Sequence, residues 1–190
     1  MIRTAPLEQA ELAIIGAGCA GLSLARQLVQ TEKTSSIKAC LYGPVSPAAT
    51  NGHSWGFWAT QGLKEQTELA RQRWHKWQII TAKRKVTQTA DSHPYCRLDS
   101  SDWLNHCLNI IDGNIQREPD SLPIPGAQPI FDSRPPNMPE GTMLQHFKGV
   151  EIKVAQPCFS PDTAILMDFR CDQSRGIHFM YLLPYSPTEA

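Results

Sequence analysis

The turn "GAGCAG", Gly16 to Gly21, is the stretch whose residue types and spacing carry an assignable chemistry. Gly16 permits a tight turn, Gly18 lets a pyrophosphate approach the backbone, and Gly21 lets a helix pack closely on the preceding strand. Ala17, Cys19 and Ala20 are small enough to leave such a cradle open. A helix starting here would offer unpaired N–H groups and the positive end of its dipole to a dinucleotide's phosphates. The bland alternative is a glycine turn with no ligand. In dinucleotide sites an acid at the end of the next strand holds the adenosine ribose. Here "SIKACLYGPV" places Tyr42 and Gly43 at that point. A tyrosine hydroxyl offers one hydrogen bond and glycine has no side chain to offer, a deficit of roughly 1–3 kcal/mol in binding.

Little else in the composition points to a reactive centre. Six cysteines occur without a C-x-x-C pair, and no His/Cys cluster has metal-ligand spacing, so no metal is expected. Reduced thiols in a cytoplasmic setting fit that usage. Eighteen basic residues balance eighteen acidic ones, which leaves no net field to attract nucleic acid. The basic run "AKRKV" reads as a solvated face, since Trp74 and Trp77 nearby lack the cationic interleaving of a single-strand groove. The opening "MIRTAPLEQAE" lacks the apolar stretch of a secretory signal, and no segment reaches the ~20 apolar residues of a membrane span.

The elements that would position the turn are legible. Leu12–Ile15 reads as a buried parallel strand, Ala20 onward as a helix with Leu22, Ala25, Leu28 and Val29 on one face, and Ile37–Tyr42 as the next strand. Residues 43–52 read as loop. The aromatic "HSWGFW" follows, and Gln66–Trp77 is predicted helical, with Leu69, Arg73 and Trp77 along one face. Ser100 or Ser101 is expected to cap a helix whose stripe is Trp103, Leu104, Cys107, Leu108 and Ile111. The proline-rich 117–129 can be neither helix nor central strand. Ile130 starts a short strand, and "QHFKGVEIKV", "AILMDFRC" and "IHFMYLLPYS" read as strands of an antiparallel sheet from about Gln145. The expected organisation is a dinucleotide-binding region over 1–144 and the start of an antiparallel region over 145–190.

In the order "NGHSWGFW", "IFDSRPP", "QHFKGVEIKV", "AILMDF", "FMYLLPYSPTEA", behind an N-terminal glycine fingerprint, the sequence resembles the flavin-dependent lycopene β-cyclases of bacteria and plants. The resemblance runs from Leu12 to Ala190. It implies an α/β fold: a Rossmann-like FAD-binding domain of the glutathione-reductase type with an antiparallel β-rich substrate region, C-terminally incomplete. It further implies FAD on Gly16, Ala17, Gly18, Cys19, Ala20 and Gly21, and NAD(P)H as its reductant. The apolar carotenoid lycopene would be the substrate, in a cytoplasmic protein peripheral to a membrane. The implied reaction closes the ψ-ends of lycopene into β-ionone rings, an isomerisation with no net redox change.

By position, the resemblance sets Asp132 beside the cofactor, where a turn-capping aspartate before Pro135 is the alternative. Trp55, Phe57 and Trp58 would line the polyene path or else plug an aromatic core. Asp168 would face flavin or substrate, or be a buried aspartate with a backbone partner. The sequence departs from the family pattern at the ribose acid and in its short proline-rich link before "FDSRPP", where a β-meander is usual. The family's acidic motif and glycine-aspartate segment find no counterpart before Ala190, so no catalytic residue is assigned and the expectation is an incomplete or inactive fragment: a truncated gene, a fragment sequence, or half of a split enzyme whose partner is the missing C-terminal half. Glu189 is expected to be a frayed terminal charge. Two other readings share the fingerprint: an FAD-dependent oxidoreductase or hydroxylase acting on an isoprenoid, and a non-enzymatic remnant of the fold.

Overall fold

A computed structural model describes residues 10–44, 53–123 and 129–190. Parts of the expected loop over 43–52 and of the proline-rich link over 117–129 lie outside them. In chain order the elements are β1 (Leu12–Ile15), α1 (Cys19–Gln30), β2 (Ala39–Tyr42), β3 (Ser54–Trp58) and a one-turn 3-10 helix at Gln61–Leu63. There follow α2 (Lys64–Glu68), β4 (Gln72–Trp74), β5 (Lys76–Ile80), β6 (Lys85–Thr89), β7 (Tyr95–Asp99) and α3 (Ser100–Ile111). The last are β8 (Gln116–Glu118), β9 (Ile130–Asp132), β10 (Thr163–Asp168) and β11 (Met180–Leu182).

The chain forms two compact units, each made of two segments: Met1–His53 with Ser100–Thr142, and Ser54–Asp99 with Met143–Ala190. Residues 54–99 thus share a unit with the C-terminal segment, and residues 100–142 share one with the glycine turn.

The first unit holds a four-stranded sheet in the order β8-β2-β1-β9, with every neighbouring pair parallel. Within this unit the order of succession is third, second, first, fourth, so the chain reverses its direction of travel across the sheet between β1 and β9. Doubly wound sheets open a crevice outside the strand carboxyl ends at such a switch. The burial of all four residues in both β1 and β2 explains their unbroken apolar character. Helices α1 and α3 pack on each other. Trp103 Nε1 donates to Ser23 Oγ at 2.9 Å, and the Arg26 guanidinium lies 5.0 Å from the centre of the Trp103 ring. The stripe expected on α3 is the buried one, through Trp103, Leu104, Cys107 and Ile111.

The second unit holds an antiparallel sheet, β3-β7-β4, and a four-stranded sheet, β11-β10-β5-β6. The latter is mixed rather than purely antiparallel, because β10 runs parallel to β5 while the outer pairs are antiparallel. The helix expected over Gln66–Trp77 stops at Glu68, and the rest forms β4 and the start of β5. Aromatic and β-branched residues in "WHKWQII" favour a pleated surface, and pairing with β7 and β10 overrides the helical spacing. Trp74 is fully buried with Ala164 and Leu166, and its Nε1 donates to the Pro184 carbonyl at 2.9 Å. "QHFKGVEIKV" forms no named strand. Only its end pairs, through Ile152 N–H to the Ala190 carbonyl, Ala190 N–H back to Ile152, and Val154 N–H to the Thr188 carbonyl. Glu189 is therefore no frayed charge: it lies opposite Lys153 and accepts from its Nζ at 2.7 Å.

Candidate functional site

The carboxyl ends of the four parallel strands frame an open cleft of about 590 Å³. Ile15, Gly16 and Ala17 line it after β1, Gly43 and Pro44 after β2, Pro119–Leu122 after β8, and Arg134 after β9. The volume lies within the roughly 300–1,000 Å³ of small-molecule and cofactor sites. Each glycine of the turn has a separate physical reason. Gly16 sits at φ +98, and a Cβ there would come within 2.5 Å of Ser133 Oγ. Around Gly18 nothing stands within 4 Å of a Cβ position, so this stretch of backbone is open to a ligand. At Gly21 a Cβ would lie 1.8 Å from the Gly16 carbonyl oxygen, which is the close helix–strand approach that only glycine allows.

The start of α1 carries no cap of its own. Gly18 is its N-cap with no side-chain cap, and no acidic residue stands in the first turn. Among the described residues its first N–H groups therefore have neither an intrahelical partner nor a side-chain capping oxygen. Gly18, Cys19 and Ala20 are exposed, whereas Ala17 and Gly21 are buried. Desolvation around its sulfur pushes the Cys19 thiol up, so it stays neutral at ordinary pH.

Asp132 pairs in register with Ile15, and the structure brings it to the same strand ends as the glycine turn. Its carboxylate is taken, however. It accepts from Arg134 N at 3.0 Å, from Arg134 Nε at 2.9 Å and from Arg134 Nη2 at 2.7 Å. This is the turn-capping geometry, and the Arg134 guanidinium holds the Asp132 carboxyl down at about 2. Of the pair, Arg134 is the residue that lines the cleft. Ser133 fastens the turn from the other side: its N–H donates to the Ile15 carbonyl at 2.8 Å, and its Oγ to the same carbonyl at 2.8 Å and to that of Gly16 at 3.1 Å. Tyr42 does not stand in for the ribose acid. It is fully buried with Ala13 and Cys40, and its hydroxyl interacts with the Cys40 thiol. Gly43, at φ +107, is what β2 presents to the cleft.

The remaining expected residues lie in the second unit. On β3, Trp55 and Phe57 sit opposite the buried Leu98 and Cys96, while Trp58 sits opposite Tyr95. Strand alternation thus puts Trp58 on the other face from Trp55 and Phe57. Its ring meets Trp77 at 5.5 Å and Tyr95 at 5.0 Å, both edge-on. Gly56 lies on that face because the Tyr95 ring covers it: a Cβ would lie 1.9 Å from the Tyr95 hydroxyl. Asp168 ends β10 and repeats the Asp132 arrangement. Arg170 Nε donates to it at 2.9 Å, Arg170 Nη2 at 2.6 Å and the Arg170 N–H at 3.1 Å, which holds its carboxyl at about 2. With Arg170, Cys171 and Met180 it borders a smaller hollow of about 330 Å³. Sequence reading paired neither aspartate with its arginine, although D-x-R at a strand end is a signal for such a turn. Among the described residues no group of three or more His, Cys, Asp or Glu could hold a metal ion. No helix among them is long and apolar enough to cross a membrane.

The sequence profile described as "Lycopene cyclase protein" matches residues 11–114 and 119–190. The chain belongs to the lycopene cyclase family. No curated protein matches this family member. Among solved structures it is similar to the peptidyl tryptophan dihydroxylase QhpG, essential for tryptophylquinone cofactor biogenesis (12% identity, TM-score 0.39, 58% of this chain and 25% of that one). It is also similar to a Photorhabdus luminescens subsp. laumondii protein classed as an FAD-containing monooxygenase (19%, TM-score 0.37, 56% and 30%). The third is the tetracycline destructase Tet(51) (13%, TM-score 0.35, 57% and 29%). The part of each neighbour matched by this lycopene cyclase family chain is thus between 25% and 30% of its length.

Proposed function

We propose that this chain supplies the FAD-binding part of a lycopene cyclase, which closes the ψ-ends of lycopene into β-ionone rings. The observation that carries the reading is the open cleft at the strand carboxyl ends, with Gly18 clear and the start of α1 uncapped. The residues present fit a dinucleotide: Gly16, Ala17, Gly18, Cys19, Ala20 and Gly21 hold the pyrophosphate against the N–H groups of α1. Arg134, ion-paired with Asp132, lines the cleft that Gly16 and Ala17 border. Reduced by a nicotinamide cofactor, bound FAD supplies negative charge that stabilises the carbocation of cyclisation.

The ring closure itself adds a proton to a terminal alkene, joins the carbon skeleton and releases a proton from the ring, so substrate and product have equal mass. Asp168, held anionic by Arg170 down to about pH 2, is a poor proton donor near neutrality and acts as a fixed charge. Trp58, with its ring edge-on to Trp77 and Tyr95, offers an aromatic surface on one side of β3 for an apolar polyene, and Trp55 and Phe57 offer the other. A substrate of this kind resides in lipid, which makes peripheral contact with a membrane part of the proposal.

The test is anaerobic incubation of the protein with FAD, NADPH and lycopene in liposomes, read by chromatography and mass spectrometry. Little or no ring-closed product is expected from this chain alone, since none of its residues is assigned the proton transfer; with the complementary C-terminal half of a lycopene cyclase added, a ring-closed product of the same mass as lycopene is expected. A product heavier by one oxygen would replace the cyclase reading with a hydroxylase one, and the absence of any isobaric product from the complemented pair would sink the cyclase reading.

A further inference from the structure

Every glycine requirement of a dinucleotide cradle is met in the first unit, yet β2 brings no carboxylate to the cleft. Tyr42 is buried and Gly43 has no side chain. A carboxylate does reach the cleft from the neighbouring strand. In the parallel pairing of β2 with β8, Tyr42 stands opposite Glu118, and the Gly43 N–H donates to the Glu118 carbonyl at 3.0 Å. The chain leaving β8 therefore runs alongside the chain leaving β2. Two residues on, Asp120 lines the same cleft as Gly43 and Pro44.

The other acid at this strand end is already committed. Glu118 accepts from Gln116 Nε2 at 2.8 Å and from Ser121 Oγ at 3.2 Å, and it does not line the cleft. Asp120 is exposed, and among the described residues no hydrogen bond or ion pair engages its carboxylate. Ser121, tied to Glu118, and Pro119, with its fixed φ, hold the turn on which Asp120 sits.

We infer that Asp120 is the ribose-binding acid of this site: its carboxylate, delivered one strand over, accepts the adenosine ribose hydroxyls that β2 leaves unserved. The inference rests on the dinucleotide reading of the cleft and adds the residue that selects an adenosine ribose bearing free hydroxyls. A carboxylate accepts two hydroxyl donors where an amide oxygen is a weaker, uncharged acceptor, so Asp120→Asn weakens adenosine binding while preserving shape.

The test uses the 190-residue chain and ADP, which carries the pyrophosphate and ribose without the flavin, in isothermal titration. FAD binding is followed in parallel by quenching of flavin fluorescence. The unmodified chain is expected to bind ADP more tightly than 2′-deoxy-ADP or 3′-deoxy-ADP by roughly ten- to a hundredfold. D120N is expected to bind all three alike, at the level of the deoxy analogues, and to lose FAD affinity by a similar factor. The deoxy comparison needs no variant, so it holds even if D120N folds poorly. If the unmodified chain binds ADP but makes no distinction among the three, or if D120N keeps the distinction, Asp120 does not hold the ribose. If the unmodified chain binds neither ADP nor FAD, the dinucleotide reading fails and takes this inference with it.

Discussion

Adding one methyl group at Gly21 and one at Gly18 should have opposite consequences, and the structure sets the size of each. A Cβ at Gly21 would stand 1.8 Å from the Gly16 carbonyl oxygen, whereas real Cβ atoms essentially never approach a neighbour under 3.0 Å. In Gly21→Ala the start of α1 must therefore withdraw by about 1.2 Å, because the one atom closer than 3.0 Å is the backbone oxygen of Gly16, while Ser133 Oγ at 3.1 Å need give little. Overpacking of this kind costs about 1–3 kcal/mol, and because a backbone carbonyl cannot rotate away the upper end applies. Alanine returns up to about 1 kcal/mol through helix propensity, which leaves a net loss of about 2 kcal/mol. With a urea m-value of about 2 kcal/mol/M, the unfolding midpoint should fall by about 1 M, as followed by far-UV circular dichroism. Gly18→Ala meets nothing within 4 Å and keeps φ −94, ψ −162, which alanine adopts freely. Its midpoint should move by less than about 1 kcal/mol in equivalent stability, the scale of an N-cap exchange. Its methyl intrudes where the pyrophosphate approaches, so ADP and FAD affinity should drop by at least about tenfold, the equivalent of 1.4 kcal/mol. An unchanged midpoint for G21A, or a G18A variant as destabilised as G21A, would refute the roles given to the two glycines.

Two further outcomes follow from pairings elsewhere in the structure. Trp74→Phe strips the buried Pro184 carbonyl of its donor and should destabilise the protein by about 1–3 kcal/mol from that loss alone in urea titration. The half-buried Trp77→Phe should cost less than about 1 kcal/mol in the same assay. Carboxyl carbon NMR should show Asp132 and Asp168 titrating at about 2, and Arg134→Gln should raise the Asp132 midpoint towards the ordinary range. Because both folded pKa values are depressed, what these pairs contribute to stability is present above about pH 4 and is lost as pH falls through about 2.

The glycine turn was readable from sequence because each glycine answers to a local demand: a positive φ at 16, open space at 18, a backbone contact at 21. The stripe on α3 was readable for a similar reason, since Trp103, Leu104, Cys107 and Ile111 recur with the period of one element. Gln66–Trp77 misled because its spacing suits a helix, while its partners, β7 and β10, lie far off in the chain and decide the matter by pairing. The same remoteness hid the chemistry of the cleft. Only the folded turn decides between a free and a turn-capping Asp132, by laying Arg134 back on it, and only the pairing of β8 with β2 brings Asp120 beside Gly43. Residues that act within one element are visible in one dimension; a carboxylate borrowed from a neighbouring strand is not.

The last strand of the parallel sheet also sets a timetable for the protein's making. After β2 leaves the ribosome, β9 follows only when the chain reaches Ile130–Asp132, and the antiparallel strands β3 to β7 emerge in between. At translation rates of 5–20 residues per second, that interval is about 5–20 s. During it β1 has only β2 as an early partner, and the Gly16 carbonyl still awaits Ser133. The exposed edge of β1 is then open to a wrong strand. The nascent chain should therefore be most prone to aggregate before "FDSRPP" emerges, and a ribosome-stalled series should gain ADP binding in one step once that segment is free of the exit tunnel.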